Sequence, residues 1–124
     1  MNSSDKKLNG CHVFIVEDEH LLAMDLEDML KAHGARIVGP YGEVYAAFRR
    51  AERDHFDVGI IDINLRDEAA YPVADELMRQ RIPFFFCTGY DADAVPVRFA
   101  GVRVFQKPFN SLEVVEHVGR LWQR

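Results

Sequence analysis

The acids Glu17, Asp18 and Asp62, the hydroxyl of Thr88 and the amine of Lys107 are the side chains of this chain whose types and positions point to chemistry. Asp62 closes the run Val58-Gly59-Ile60-Ile61-Asp62, apolar or glycine up to the carboxylate. A β-branched run of that length reads as a strand buried on both faces of a parallel sheet. In open α/β sheets the carboxyl ends of strands face the ligand crevice, so an acid placed there is a candidate working group. A helix-capping aspartate is the structural alternative. The other residues break the tie together. Glu17-Asp18-Glu19 follow the run Cys11-His12-Val13-Phe14-Ile15-Val16, Thr88 ends the run Ile82-Pro83-Phe84-Phe85-Phe86-Cys87-Thr88, and Lys107 lies just past Val102-Arg103-Val104-Phe105.

Carboxylates brought together repel one another unless a cation or a shared proton offsets them. Hard oxygen donors suit Mg2+, with Mn2+ as a second candidate, and Mg2+ commonly joins one or two carboxylates to a phosphate oxygen. Phosphoryl transfer needs positioning and cations or donors for the charge on the equatorial oxygens. Lys107 can supply the point charge, and the Thr88 hydroxyl with the Gly89 backbone N–H can donate hydrogen bonds. Asp62 would then be the nucleophile and form an acyl phosphate.

Five strands must hold these groups, alternating with five helices. Leu22, Leu26, Met29 and Leu30 share one helical face, and Gly34 is a natural stop. A second strand is expected over Ala35-Arg36-Ile37-Val38-Gly39, closed by Pro40. Val44, Ala47, Phe48 and Ala51 mark the next helix, with Arg49, Arg50, Glu52 and Arg53 on its wet side. Val73, Ala74, Leu77 and Met78 mark a third. Between Leu65 and Pro72 the chain reads as polar and irregular, and Pro96 allows at most a short helix before Ala100. Asn110 with Glu113 resembles a capping box, opening a last helix with Val115, Val118, Leu121 and Trp122 inward. The pattern calls for an α/β fold with helices on both faces of a parallel sheet. With the flavodoxin-like strand order 2-1-3-4-5, strands one and three are neighbours, which brings Glu17 and Asp18 to Asp62.

At 124 residues, 48% hydrophobic and 28% charged, the chain suits one domain with a real core, expected over residues 10–124 behind a flexible 1–9. A net charge of -5 without a basic cluster argues against nucleic acid as a direct partner. No apolar run approaches the ~20 residues that span a bilayer, and 1–10 lack the apolar segment of a signal peptide, so a cytoplasmic location is expected. Cys11 and Cys87 have no metal or redox spacing and read as small core residues. The five histidines never fall at i, i+4 spacing, which gives no histidine metal site.

Over nearly its whole length the chain resembles the response-regulator receiver domains of two-component signalling. Glu17-Asp18, Asp62, Thr88 and Lys107-Pro108-Phe109 match the family's acidic pair, phosphorylated aspartate, hydroxyl residue and lysine in order and approximate spacing. The resemblance implies a flavodoxin-like (βα)5 three-layer sandwich, and a cis bond at Lys107-Pro108. It also implies Mg2+ bound directly by Asp18 and Asp62, through water by Glu17, and by the backbone carbonyl of Asn64. Asn64 and Tyr90 would flank an attacking water and tune the lifetime of the acyl phosphate. The partners implied are a sensor histidine kinase or histidine phosphotransfer protein and a downstream protein target, with a phosphorylation-dependent homodimer as one outcome. Receivers usually carry Tyr or Phe three residues before the lysine, where this chain has Val104, and Gly89 replaces the usual Ala. Phe86-Cys87-Thr88-Gly89 with Tyr90 is similar to a subgroup of largely stand-alone alphaproteobacterial receivers named for a Phe-Ala-Thr-Gly-hydrophobic-Tyr motif, with Cys87 in place of Ala. No output domain is expected after the last helix, so action through a partner's surface is expected.

Two other classes also use this architecture. A haloacid-dehalogenase-type phosphatase shares the strand-end Asp and Mg2+ but wants an Asp two residues later, where Asn64 stands. A flavodoxin-like cofactor binder wants a phosphate loop after the first strand, where Glu17-Asp18-Glu19 put negative charge.

Overall fold

Successive strand residues point to opposite sides of a sheet, and here that alternation divides one core into two. The computed structural model describes residues 7–89 and 95–122. In chain order it has β1 (His12–Val16), α1 (His20–Ala32), β2 (Arg36–Tyr41), α2 (Val44–Arg53) and β3 (Val58–Asp62). A two-residue pair follows, β4 (Asn64–Leu65) and β5 (Glu68–Ala69), then α3 (Tyr71–Arg79) and β6 (Phe84–Thr88). A 3-10 turn (Val97–Phe99), β7 (Val104–Gln106) and α4 (Ser111–Trp122) complete it.

The main sheet runs β2-β1-β3-β6-β7 with every pair parallel. With the small antiparallel β4-β5 pair set aside, this is the expected 2-1-3-4-5 order. Val13 and Ile15 of β1, Val58 and Ile60 of β3, and Phe85 and Cys87 of β6 face Leu26 and Leu30 of α1 and Val114, Val115 and Val118 of α4. Phe14, Val16, Ile61 and Phe86 face the other way, onto Val44, Ala47 and Ala51 of α2 and Val73, Ala74 and Leu77 of α3. Gly59 sits inside β3 because a Cβ there would lie 2.6 Å from Leu77 Cδ1 and 3.3 Å from Phe84 Cβ. That close approach lets α3 settle on the sheet at Gly59.

Several expectations need correction. The described residues hold four α-helices rather than five; between β6 and β7 they contain only the 3-10 turn, after Pro96. β2 does not stop at Pro40 but continues to Tyr41 through a cis Gly39-Pro40 peptide. As an edge strand it has a free side on which a residue lacking an N–H is tolerated. β6 starts at Phe84, two residues after the expected Ile82. Met78 is exposed, and Glu76 joins Leu77 among the buried residues of that turn. In the segment expected to be flexible, Leu8 is fully buried, and its N–H donates to the His33 carbonyl at 2.8 Å. The N-terminal half of the capping box forms: Asn110 Oδ1 accepts from the N–H groups of Leu112 at 2.8 Å and Glu113 at 3.4 Å. Both cysteines are buried free thiols. No helix among the described residues is long and apolar enough to cross a membrane.

Candidate functional site

Parallel pairing of Val16 with Ile61 makes β1 and β3 end side by side, so Glu17 and Asp18 emerge next to Asp62. Pairing of Asp62 with Cys87 and of Thr88 with Gln106 brings the ends of β6 and β7 to the same rim. The Lys107 N–H donates to the Thr88 carbonyl at 2.7 Å, which directs the lysine side chain back over the strand ends. Its Nζ donates to Asp62 Oδ2 at 2.9 Å and to Glu17 Oε2 at 3.1 Å, and lies 3.6 Å from Glu19 Oε1. Backbone N–H groups also hold Asp62, Asp18 and Glu17. Asp62 Oδ1 accepts from the Asn64 N–H at 3.2 Å, Asp18 Oδ2 from the Arg66 N–H at 2.9 Å, and Glu17 Oε2 from the Glu19 N–H at 3.0 Å.

Glu17 and Asp62 are each only 5% exposed, and Thr88 1%. Burial pushes the Glu17 carboxyl up to about 8, helped by a hydrogen bond to Asp62 and the Asp62 charge, while the Glu19 N–H and Lys107 oppose the shift. Burial pulls Lys107 down, but the Asp62 hydrogen bond and the charges of Asp62 and Glu17 outweigh it and raise the amine above its ordinary value. The acids therefore compete for positive charge. Burial also raises both thiols, Cys11 to about 12 and Cys87 further still, so neither is a thiolate at neutral pH.

One carboxylate oxygen from each of Glu17, Asp18 and Asp62 lies within 4.8 Å of the other two. That donor set, three hard oxygens whose mutual repulsion one lysine offsets only in part, fits Mg2+. A cavity of about 250 Å3 opens above it, and Asp18, Asp62, Asn64, Gly89 and Lys107 line it as the sequence leads one to expect. Glu17 lies beneath the wall, bound to the lysine. Gly89 reaches the cavity and Thr88 is buried behind it. The Lys107-Pro108 peptide is cis. Tyr90 lies outside the described residues. Val104 is remote from the acids, in a separate apolar hollow with Val97 and Phe99.

Sequence reasoning missed three members of the cavity wall: Glu19, Arg66 and Asp67. Glu19 had a signal, since it continues the acidic run. Arg66 and Asp67 had none, because the β4-β5 hairpin that carries them has no glycine or asparagine at its turn.

Residues 13–119 match the family model described as the response regulator receiver domain. The transcriptional regulatory protein PdtaR of Mycobacterium tuberculosis is 34% identical over 107 residues, which cover 83% of this chain and 52% of that protein. The chain thus spans about half the length of the curated relatives it matches. The solution structure of SdrG from Sphingomonas melonis Fr1 is 38% identical, covers 98% of each chain and superposes with a TM-score of 0.77. The solution structure of the BeF3-activated conformation of SdrG from Pseudomonas melonis Fr1 is 39% identical with a TM-score of 0.71, over 90% of this chain and 95% of that one. The receiver domain of the Pseudomonas aeruginosa PAO1 sensor histidine kinase PA1611, with a magnesium ion coordinated in its active site cleft, shares the fold at 24% identity. Its TM-score is 0.77, over 93% of this chain and 99% of that one. An acid-rimmed crevice at the ends of parallel strands, bridged by one lysine, and a family match over 13–119 lead to one conclusion: the chain belongs to the response regulator receiver domains, whose family function is to accept a phosphoryl group.

Proposed function

We propose that Asp62 accepts a phosphoryl group from a sensor histidine kinase or a histidine phosphotransfer protein, and that the modification switches binding to a downstream protein. The observation that carries this reading is Lys107 Nζ, held at 2.9 Å from Asp62 and 3.1 Å from Glu17 at the mouth of the carboxylate cluster. Asp62 has one oxygen on the lysine and the other on the Asn64 N–H, so its carboxylate is oriented toward the cavity before a donor arrives.

Asp18 and Asp62 would hold Mg2+ directly, Glu17 through water, and Asn64 by its backbone carbonyl. When bound, the ion would supply positive charge to offset that of the phosphoryl oxygens. Asp62 attacks phosphorus while the bond to the donor's nitrogen breaks and its electron pair returns to the imidazole. Lys107 moves from the acids to a phosphoryl oxygen, and the Gly89 N–H and Thr88 hydroxyl donate to others. Thr88, drawn toward that charge, would carry the change to the segment beyond Gly89 and to β7. Val104 leaves that path without the usual aromatic, and Tyr90 is the candidate replacement, in keeping with the Phe-Ala-Thr-Gly-hydrophobic-Tyr subgroup. Asn64 and Tyr90 would set how long the acyl phosphate lasts. An ordinary coupling of ~1 to 3 kcal/mol changes partner affinity about 5- to 150-fold. The partner can be another protein or a second phosphorylated copy of this chain, and the cytoplasm is the compartment in which such donors are met.

The BeF3-activated form of SdrG and the magnesium ion in the PA1611 receiver support this reading. The receiver match leaves the phosphatase and flavin readings without support. The test is incubation with acetyl phosphate or beryllofluoride, with and without Mg2+, followed by amide spectra. Mg2+-dependent labelling and shifts near β6 and β7 are expected, and Asp62→Asn is expected to abolish both. Undiminished labelling of Asp62→Asn would move the acceptor elsewhere.

A further inference from the structure

Arg66 and Asp67 make the two-residue turn of the β4-β5 hairpin, and both occupy the left-handed region, with φ of 49° and 68°. Such turns favour glycine and asparagine because a Cβ crowds the backbone there. An arginine held in that conformation needs surroundings that fix it. Its N–H does so through Asp18 Oδ2 at 2.9 Å. The side chain is left at the rim of the cavity that Asp18, Asp62 and Lys107 line.

The two cations of this cavity differ in status. Lys107 is 13% exposed and lies within ion-pair distance of three acids. Arg66 is 69% exposed, and its Nη1 is 3.9 Å from Glu43 Oε2, itself 68% exposed. An ion pair that long and that wet is weak and readily exchanged. Arg66 is therefore an available cation beside a pocket whose acids, Asp18, Glu19, Asp62 and Asp67, repel any anionic donor.

We propose that Arg66 is a specificity-determining residue for small anionic phosphoryl donors. On this reading its guanidinium leaves Glu43 and grips the donor with its planar fork of N–H groups. The proposal rests on Asp62 being the acceptor. With acetyl phosphate, an Asp62 oxygen bonds to phosphorus as the bond from phosphorus to the acetyl oxygen breaks. The electron pair leaves on acetate, and no proton or redox change is required. Arg66 offsets the charge that the donor carries in and takes no part in the bond changes.

The experiment measures Asp62 labelling against acetyl phosphate concentration at saturating Mg2+, for the wild type, Arg66→Gln, Arg66→Gly and Arg66→Lys. Arg66→Gly keeps the N–H that holds Asp18 and suits the positive φ, so it removes the side chain without disturbing the hairpin. In both Arg66→Gln and Arg66→Gly the half-saturating donor concentration is expected to rise about fivefold, which is roughly 1 kcal/mol on the scale of tenfold per 1.4 kcal/mol. Arg66→Lys should recover part of that loss, and the gap from wild type should close as salt is raised. Glu43→Gln, which frees the guanidinium, should lower the half-saturating concentration. Donor dependence in Arg66→Gly equal to wild type, or a change confined to Mg2+ affinity, overturns the proposal. Failure of the acceptor reading looks different, because the wild type itself would then take no label at Asp62.

Discussion

Two buried glutamates in this molecule have opposite fates. Glu76 is 8% exposed in α3; its two oxygens accept from Arg79 Nε at 3.0 Å and Nη2 at 2.6 Å, and Gln80 Nε2 donates to it while also reaching the Ala51 carbonyl of α2. The hydrogen bond from Arg79 lowers its carboxyl, outweighing the opposing effect of burial, with Gln80 and the Arg79 charge adding to the shift. Glu17, 5% exposed, is raised instead, because burial disfavours its charge and the neighbouring Asp62 adds to that effect. Burial alone does not make an acid reactive. An acid whose donors match its oxygens is structural, and one that shares a single amine with two other acids is prepared for a further cation.

Removing the shared amine should break this comparison most severely. Lys107→Met leaves Glu17 and Asp62 buried without their cation, a change that typically costs about 3 to 5 kcal/mol. Urea denaturation without Mg2+ is expected to show a loss in that range, partly restored by Mg2+, which supplies charge to the same oxygens. A loss that Mg2+ leaves untouched would argue against a cation site there.

Glu17→Gln sharpens the contrast from the other side. The amide oxygen can still accept from the Glu19 N–H, and the charge that repels Asp62 is gone. Metal-free protein at pH 8 should gain about 1 to 2 kcal/mol, the usual result of relieving an unfavourable functional arrangement, while Mg2+ stabilises the variant less than the wild type. Denaturation with and without Mg2+ measures both effects.

The legible parts of this molecule were those where one local rule acted alone. Five short apolar runs, with acids, hydroxyl and amine at the carboxyl ends of four of them, located the sheet and the crevice from the sequence. Asp62, Asp18 and Lys107 meet there because strand register brings them together. The illegible parts were those where tertiary context overrode a local preference. Pro40 lies within β2 because that strand is an edge, a fact about its neighbours. Glu76 is buried while Met78 is exposed, since the Arg79 and Gln80 donors satisfy an acid at position 76. Arg66 stayed invisible because its turn uses a residue that turn statistics disfavour, held by a hydrogen bond to Asp18 across 48 positions of chain.

The two glutamates should also give opposite responses to pH, the most direct test of the contrast. Glu17, raised above its unfolded value, contributes most below about pH 4.5, and that contribution is lost as pH rises toward the folded value of about 8. Metal-free protein should therefore lose stability between pH 5 and 8, by at most ~1.4 kcal/mol per pH unit for one proton. Saturating Mg2+ should flatten that slope, because the ion favours the ionised acid. Glu76, lowered, contributes above its unfolded value of 4.5 and loses that contribution as pH falls through its folded value. Its partner Arg79 is 70% exposed, so solvent screening keeps the effect of Glu76→Gln under about 1 kcal/mol. The change should reduce the acid-side slope of stability and leave the slope between pH 5 and 8 as in wild type. If Glu76→Gln altered the upper slope instead, the two acids would be coupled through β3 and α3 rather than set independently by their donors.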